Sequence, residues 1–250
     1  MSSGLSSTAL GTQAIASNNF TTATGRQAEA TGLASSAYGF GSEASGSSST
    51  AVGTQSIASG IQATASGRFA EATGVAASAY GFDAEASGSS STALGNQSIA
   101  TGNQATASGR LAAATDTGAS AYGFDSEASG LSSTALGTQS IASGNFTTAS
   151  GRQAEATGLA SSAYGFGSEA SGISSTALGT QSIASGNQAT ASGRFAEATG
   201  VVASAYGFDA EASGASSTAL GAQSIASGNL ATASGRLAEA TGVALSLIHI

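Results

Sequence analysis

Along this chain, small and variable positions alternate inside a unit of seven residues. The stretch Ser133-Thr134-Ala135-Leu136-Gly137-Thr138-Gln139-Ser140-Ile141-Ala142-Ser143-Gly144 holds two copies of it, written [Ser/Ala]-x-Ala-x-Gly-x-x. From Gly4 to Gly242 there are 35 slots at this spacing, and 33 hold Gly; the exceptions are Asn18 and Asp116. Two residues before each, from Ala9 to Ala240, every slot is Ala, and four before, from Ser7 to Ala238, every slot is Ser, Ala or Thr. A period this strict marks a solenoid.

A heptad also suggests a coiled coil, but that needs large apolar residues at two of its positions. Here the fixed residues are small, and a Gly in every second helical turn would cost about 1 kcal/mol each time. As a strand, Ser133 to Gly137 puts Ser133 and Ala135 on one face and Thr134 and Leu136 on the other. The invariant small face predicts the interior. Gly and the two variable residues after it predict a corner, with Gly11, Gly25, Gly53, Gly81, Gly137 and Gly144 supplying a positive φ. On that reading Asn18 and Asp116 are tolerated because Asn and Asp reach positive φ most easily among other residues.

Two heptads then make a coil of 14 residues, and successive coils stack as parallel strands about 4.8 Å apart. Ala9, Ala51, Ala93 and Ala135 are expected inside, between two unusually close sheets that any larger side chain would wedge apart. One all-β roll is predicted over residues 1–243. From Leu245 the repeat fails, because Leu245, Leu247 and His249 stand where Ala, Ala and Gly are required. Residues 244–250 therefore read as a truncated or non-native tail.

The units Ser49-Thr50-Ala51-Val52-Gly53 and Ser98-Ile99-Ala100-Thr101-Gly102 carry a likeness that extends over residues 4–243. The pattern resembles the head repeats of YadA-like trimeric autotransporter adhesins. That resemblance implies a left-handed parallel β-roll, three chains side by side, displayed on a bacterial outer membrane for attachment. It also implies that the chain is a fragment without export signal, stalk or anchor. At the variable strand positions, Thr, Ser or Glu often replace the Val and Ile of the family.

Larger repeats ride on the heptad. Tyr-Gly-Phe recurs every 42 residues from Tyr38, as does Arg from Arg26 to Arg236, and near-identical blocks recur after 126 residues. Taken every fourteenth residue, one outward ladder runs Thr8, Thr22, Ser36, Thr50 beside Leu10, Thr24, Tyr38, Val52. The other runs Ile15, Glu29, Glu43, Ile57, Glu71, Glu85. An Ala/Ser interior buries little apolar area, so an isolated chain should be marginal. Burial of Leu10, Tyr38, Val52, Tyr80, Leu94, Tyr122, Leu136 and Tyr164 between the chains of a homotrimer would add what the core lacks, leaving the Glu face in water. The Phe of each Tyr-Gly-Phe is expected either to cap that interface or to form an exposed adhesive row.

Composition narrows the chemistry. The net charge is -8, charged residues make up 8%, there is no Cys, and the six basic residues are all Arg, 42 apart. That distribution argues against nucleic acid as a partner, and no apolar run reaches membrane-spanning length. His249 is the one His, so Ser nucleophiles lack a base and the usual zinc ligands are missing. No catalysis, cofactor or metal site is expected; stacked Glu side chains could take calcium but read as a solvated acidic face. Arg26 stands three residues before Glu29, which suggests a surface ion pair. The function expected is that of an adhesin head engaging a host matrix protein, a cell or another surface through a repeated face. A bacteriophage tail-fibre segment or an ice-binding solenoid is the alternative.

Overall fold

The computed structural model describes residues 1–248, so His249 lies outside the described residues. Among these the chain is all strand and turn, without a helix. It divides into two compact units, Met1–Asp125 and Ser126–Ile250.

The first unit alternates three-residue strands, from Thr8–Leu10 to Ser120–Tyr122, with two-residue strands, from Ile15–Ala16 to Ala113–Ala114. Each strand pairs in parallel with its equivalent one coil later. Thr8, Ala9 and Leu10 face Thr22, Ala23 and Thr24, while Ile15 and Ala16 face Glu29 and Ala30. The register is therefore 14 residues, as the doubled heptad requires. The second unit repeats the arrangement, with short strands from Glu127–Ala128 to Glu239–Ala240 and long strands from Thr134–Leu136 to Ser246–Ile248. Both units are parallel β-solenoids, each coil placing a long and a short strand around a narrow interior.

That interior is Ala, Ser and Thr. Ala51, Ala93 and Ala135 are completely buried, and the largest fully buried side chains are Thr21 and Thr147. Ala9 differs from expectation and is only half-buried, because its strand has a neighbour on one side alone. Inward hydroxyls divide by corner. Where the chain leaves a long strand, Ser56 and Ser98 donate to the carbonyls of Gly53 and Gly95 at 3.1 Å. Where it leaves a short strand, Thr147 donates to Gly144 at 2.7 Å. At that same corner the Oγ atoms of Ser35, Ser49, Ser91, Ser133, Ser161, Ser175 and Ser217 are buried without a partner.

The corners correct the expectation about glycine. Gly11, Gly25, Gly53, Gly81 and Gly137, which leave long strands, do have positive φ, between 134° and 139°. Gly144, Asn18 and Asp116 leave short strands and are not in that region. Gly holds those slots because of close approach. A Cβ on Gly74 would lie 2.1 Å from the Gly88 carbonyl oxygen of the next coil, and one on Gly102 would lie 2.0 Å from that of Asp116. Asn18 is held differently, its Nδ2 donating to the Thr31 carbonyl at 3.2 Å.

The left-handed residue common to both corners is instead the second after each Gly slot. Ser6, Gln13, Phe20, Gln27 and Ala34 begin a series with φ near 55°, which continues through Val202 to Ala244. The conformation costs roughly 1–2 kcal/mol per non-Gly residue, and stacking over-determines it. Gln27 donates its N–H to the Thr12 carbonyl of the preceding coil at 2.9 Å, and Ala28 closes the turn onto Gly25.

The tail also departs from expectation. Ser246–Ile248 is a strand whose register puts Leu247 opposite Ala233. Leu247 occupies an inward slot without wedging the sheets because it lies in the last described coil, where it stays exposed.

Candidate binding surface

With every inward position up to Ala240 small, each coil offers four outward surfaces. The long-strand face carries the Thr/Ser ladder beside the row expected to form the interface. Leu10 is 65% exposed, Leu94 and Leu136 are 50%, and Tyr38, Val52, Tyr80, Tyr122 and Tyr164 are close to 40%. Within each unit, parallel stacking aligns these residues, Tyr38 against Val52 and Tyr80 against Leu94 in the first and Tyr164 against Leu178 in the second.

A second apolar strip, not singled out from the sequence, flanks the other side of that face. It occupies the corner leaving the short strand, where Leu33, Ile61, Val75, Leu159, Ile173 and Val201 are all exposed. The signal was present every fourteenth residue, immediately after the Gly4 and Asn18 slots. It was diluted by Asn19, Asn103, Asn145, Asn187 and Asn229, which share the position. Those Asn side chains clamp the corner: Asn103 Oδ1 accepts the Ser89 N–H and Asn145 Oδ1 the Leu131 N–H, both at 3.0 Å.

The corner leaving the long strand is polar and aromatic. Arg26 does not pair with Glu29; its guanidinium lies 4.4 Å from the ring centroid of Phe40, one coil on. Arg110 over Phe124 and Arg152 over Phe166 repeat this at 4.5 Å. Each such cation–π contact is worth about 0.5–1 kcal/mol at an exposed site. The Phe of Tyr-Gly-Phe is thus the seat of an Arg, a role not expected of it, and the Phe side chains stay exposed as a row would require. The short-strand face repeats one Ile and two Glu, with Ala113 in one Glu slot, and Ser87 and Ser129 donate to Glu85 at 3.2 Å and Glu127 at 3.0 Å.

Long repeated faces on an Ala/Ser core define the class, a thin parallel β-solenoid that presents surface rather than a deep site. The family model described as the YadA head domain repeat matches ten windows: 2–28, 30–56, 44–70, 58–84, 72–98, 86–112, 128–154, 142–168, 170–196 and 198–224. The chain belongs to the YadA head-repeat family. Comparison with curated proteins returned no match. Among solved structures, the chain is similar to the collagen-binding domain of the Yersinia adhesin YadA, with 25% identity and a TM-score of 0.32. That match covers 64% of this chain and 66% of that one, just under two thirds of its length.

Proposed function

We propose that this chain is the head segment of a cell-surface adhesin. On this reading it works as a homotrimer and attaches to host matrix protein, cells or other surfaces by binding, not catalysis. The observation that carries the reading is the set of YadA head repeats, matched in ten windows between residues 2 and 224. Physical support comes from the long-strand face, where a Thr/Ser ladder lies between two exposed apolar strips. Exposed large apolar side chains repeated on one face, though interrupted by Ser, Thr and Asn, suit an interaction surface. A face that repeats every coil favours avidity, in which many weak contacts add without a single deep pocket.

The test is retention of the folded chain on immobilised fibrillar matrix proteins, collagen among them, as a function of coating density. Retention should rise steeply with density. A chain folded by circular dichroism that is retained on no matrix or cell surface at any density would overturn the reading.

A further inference from the structure

The short-strand face carries a feature that its repeat of Ile and Glu does not explain. A cleft of about 260 Å³ is lined by Phe69, Glu71, Asp83, Glu85, Ile99 and Leu111. Its counterpart in the second unit, about 300 Å³, is lined by Phe195, Glu197, Asp209, Glu211, Ile225 and Leu237. The cause lies in the left-handed corner residues, which read Phe69, Asp83, Gln97, Leu111 in successive coils. Phe69 and Leu111 form apolar walls, with Asp83 and Gln97 between them. Three coils earlier the same slots read Gln27, Gly41, Gln55, Phe69, without an apolar first wall or a corner carboxylate.

The Phe69 wall is braced. Its ring meets Phe82 edge-on at 5.9 Å, and Arg68 lies over both rings, at 4.6 and 5.4 Å from their centroids. Phe195, Phe208 and Arg194 repeat this brace. Arg68 is therefore engaged with the rings, and among the described residues no cation pairs with Glu71, Asp83 or Glu85. Ser87 fixes one oxygen of Glu85, as Ser213 does for Glu211, both at 3.2 Å. Asp83 and Glu85 share one coil and Glu71 stands on the coil before, and they form no group able to hold a metal ion among the described residues.

We propose that each cleft seats a lysine side chain of a partner protein. A lysine ammonium offers three donors in different directions, which suits Asp83 at the corner, Glu85 on the strand beyond it and Glu71 one coil before better than a planar guanidinium does. Its methylene stem would lie along Phe69, Ile99 and Leu111 while the charged head reaches Asp83 and Glu85. The chain contains no Lys, so another copy cannot supply the ligand. This deepens the adhesin reading by naming the chemistry of one contact, and rests on it only for the partner being a protein.

The probe is Nα-acetyl-lysine methylamide titrated into the intact methyl-labelled chain, with the norleucine and Nε-acetyl-lysine analogues as controls. Saturable shifts are expected at Ile99, Leu111, Ile225 and Leu237, two sites per chain, with neither analogue reproducing them. Asp83→Asn/Glu85→Gln combined with Asp209→Asn/Glu211→Gln should weaken binding by roughly tenfold or more, the scale of lost charge-assisted hydrogen bonds. Equal shifts with norleucine, shifts spread unsaturably to Ile57 and Ile141, or no shift would each overturn the proposal. If the quadruple variant loses lysine binding yet adheres unchanged, the cleft is not a contact with the partner and the adhesin reading stands. Lysine binding by a chain that adheres to no surface would leave the cleft intact and sink the adhesin reading.

Discussion

Replacing Gly74 by Ala separates close approach from backbone conformation as the reason for the glycine period. Gly74 leaves a short strand without a positive φ, so Ala imposes no conformational penalty there. Its Cβ, however, would sit 2.1 Å from the Gly88 oxygen, 2.6 Å from its carbon and 2.8 Å from the Ser87 oxygen. All three are backbone atoms, and the carbonyl must retreat by about 1 Å or more to regain ordinary contact at 3.4 Å. That movement pulls on the bonds from Thr73 to Ala86 at 3.0 Å and from Ser91 to Gly88 at 3.2 Å. Overpacking of a well-packed interior costs about 1–3 kcal/mol, and each weakened hydrogen bond adds about 1 kcal/mol. The total expected is about 3–5 kcal/mol. Gly41→Ala is the control: φ is 61°, but a Cβ there meets only Gln55 Cγ at 3.5 Å. Ala34 and Ala76 already occupy the equivalent slot at φ 56° and 55°. Its cost should be about 1 kcal/mol, the left-handed penalty alone. Stacked coils depend mainly on their neighbours, so a global melt would dilute the effect. Native-state amide exchange at Ala77 and Ser91 reads it locally. Loss of protection in Gly74→Ala no greater than in Gly41→Ala would refute close approach as the cause.

Other substitutions probe the remaining features. Val202 is β-branched at φ 58°, so Val202→Asn should raise stability by about 1 kcal/mol; a lower denaturation midpoint would contradict the strain. Ser91→Ala removes a buried hydroxyl without a partner and should be neutral or stabilising, whereas Ser98→Ala loses its bond to Gly95 and should cost about 0.5–1.5 kcal/mol. Equal effects in paired unfolding curves would refute that division of hydroxyls by corner. Tyr80→Asp should weaken assembly in sedimentation far more than Glu43→Ala; a folded wild-type monomer at micromolar concentration would remove the trimer from the proposal.

The solenoid, its 14-residue register and its Ala interior could be read from the chain because a small residue at every inward slot is the repeat itself. Ala51 and Ala93 behave as predicted for that reason. The Leu/Tyr row was legible too, since period-two alternation decides which side chains point outward. The αL slot could not be read: Gln13, Phe20, Ala34 and Asp83 share no preference for positive φ, and stacking of corners imposes it on all of them. The same holds for Arg26, whose sequence neighbour Glu29 suggested a partner, although it stacks on the ring of Phe40, fourteen residues away. The cleft between Phe69 and Leu111 spans four coils, so only the stacked structure brings its walls together. Sequence by itself determined what lies inside this protein, because the interior tolerates one size of side chain. Tertiary structure decided that the next coil's carbonyl crowds the Gly at both corners and that a positive φ is added only at those leaving long strands, because that depends on how the coils stack and not on the residues within one coil.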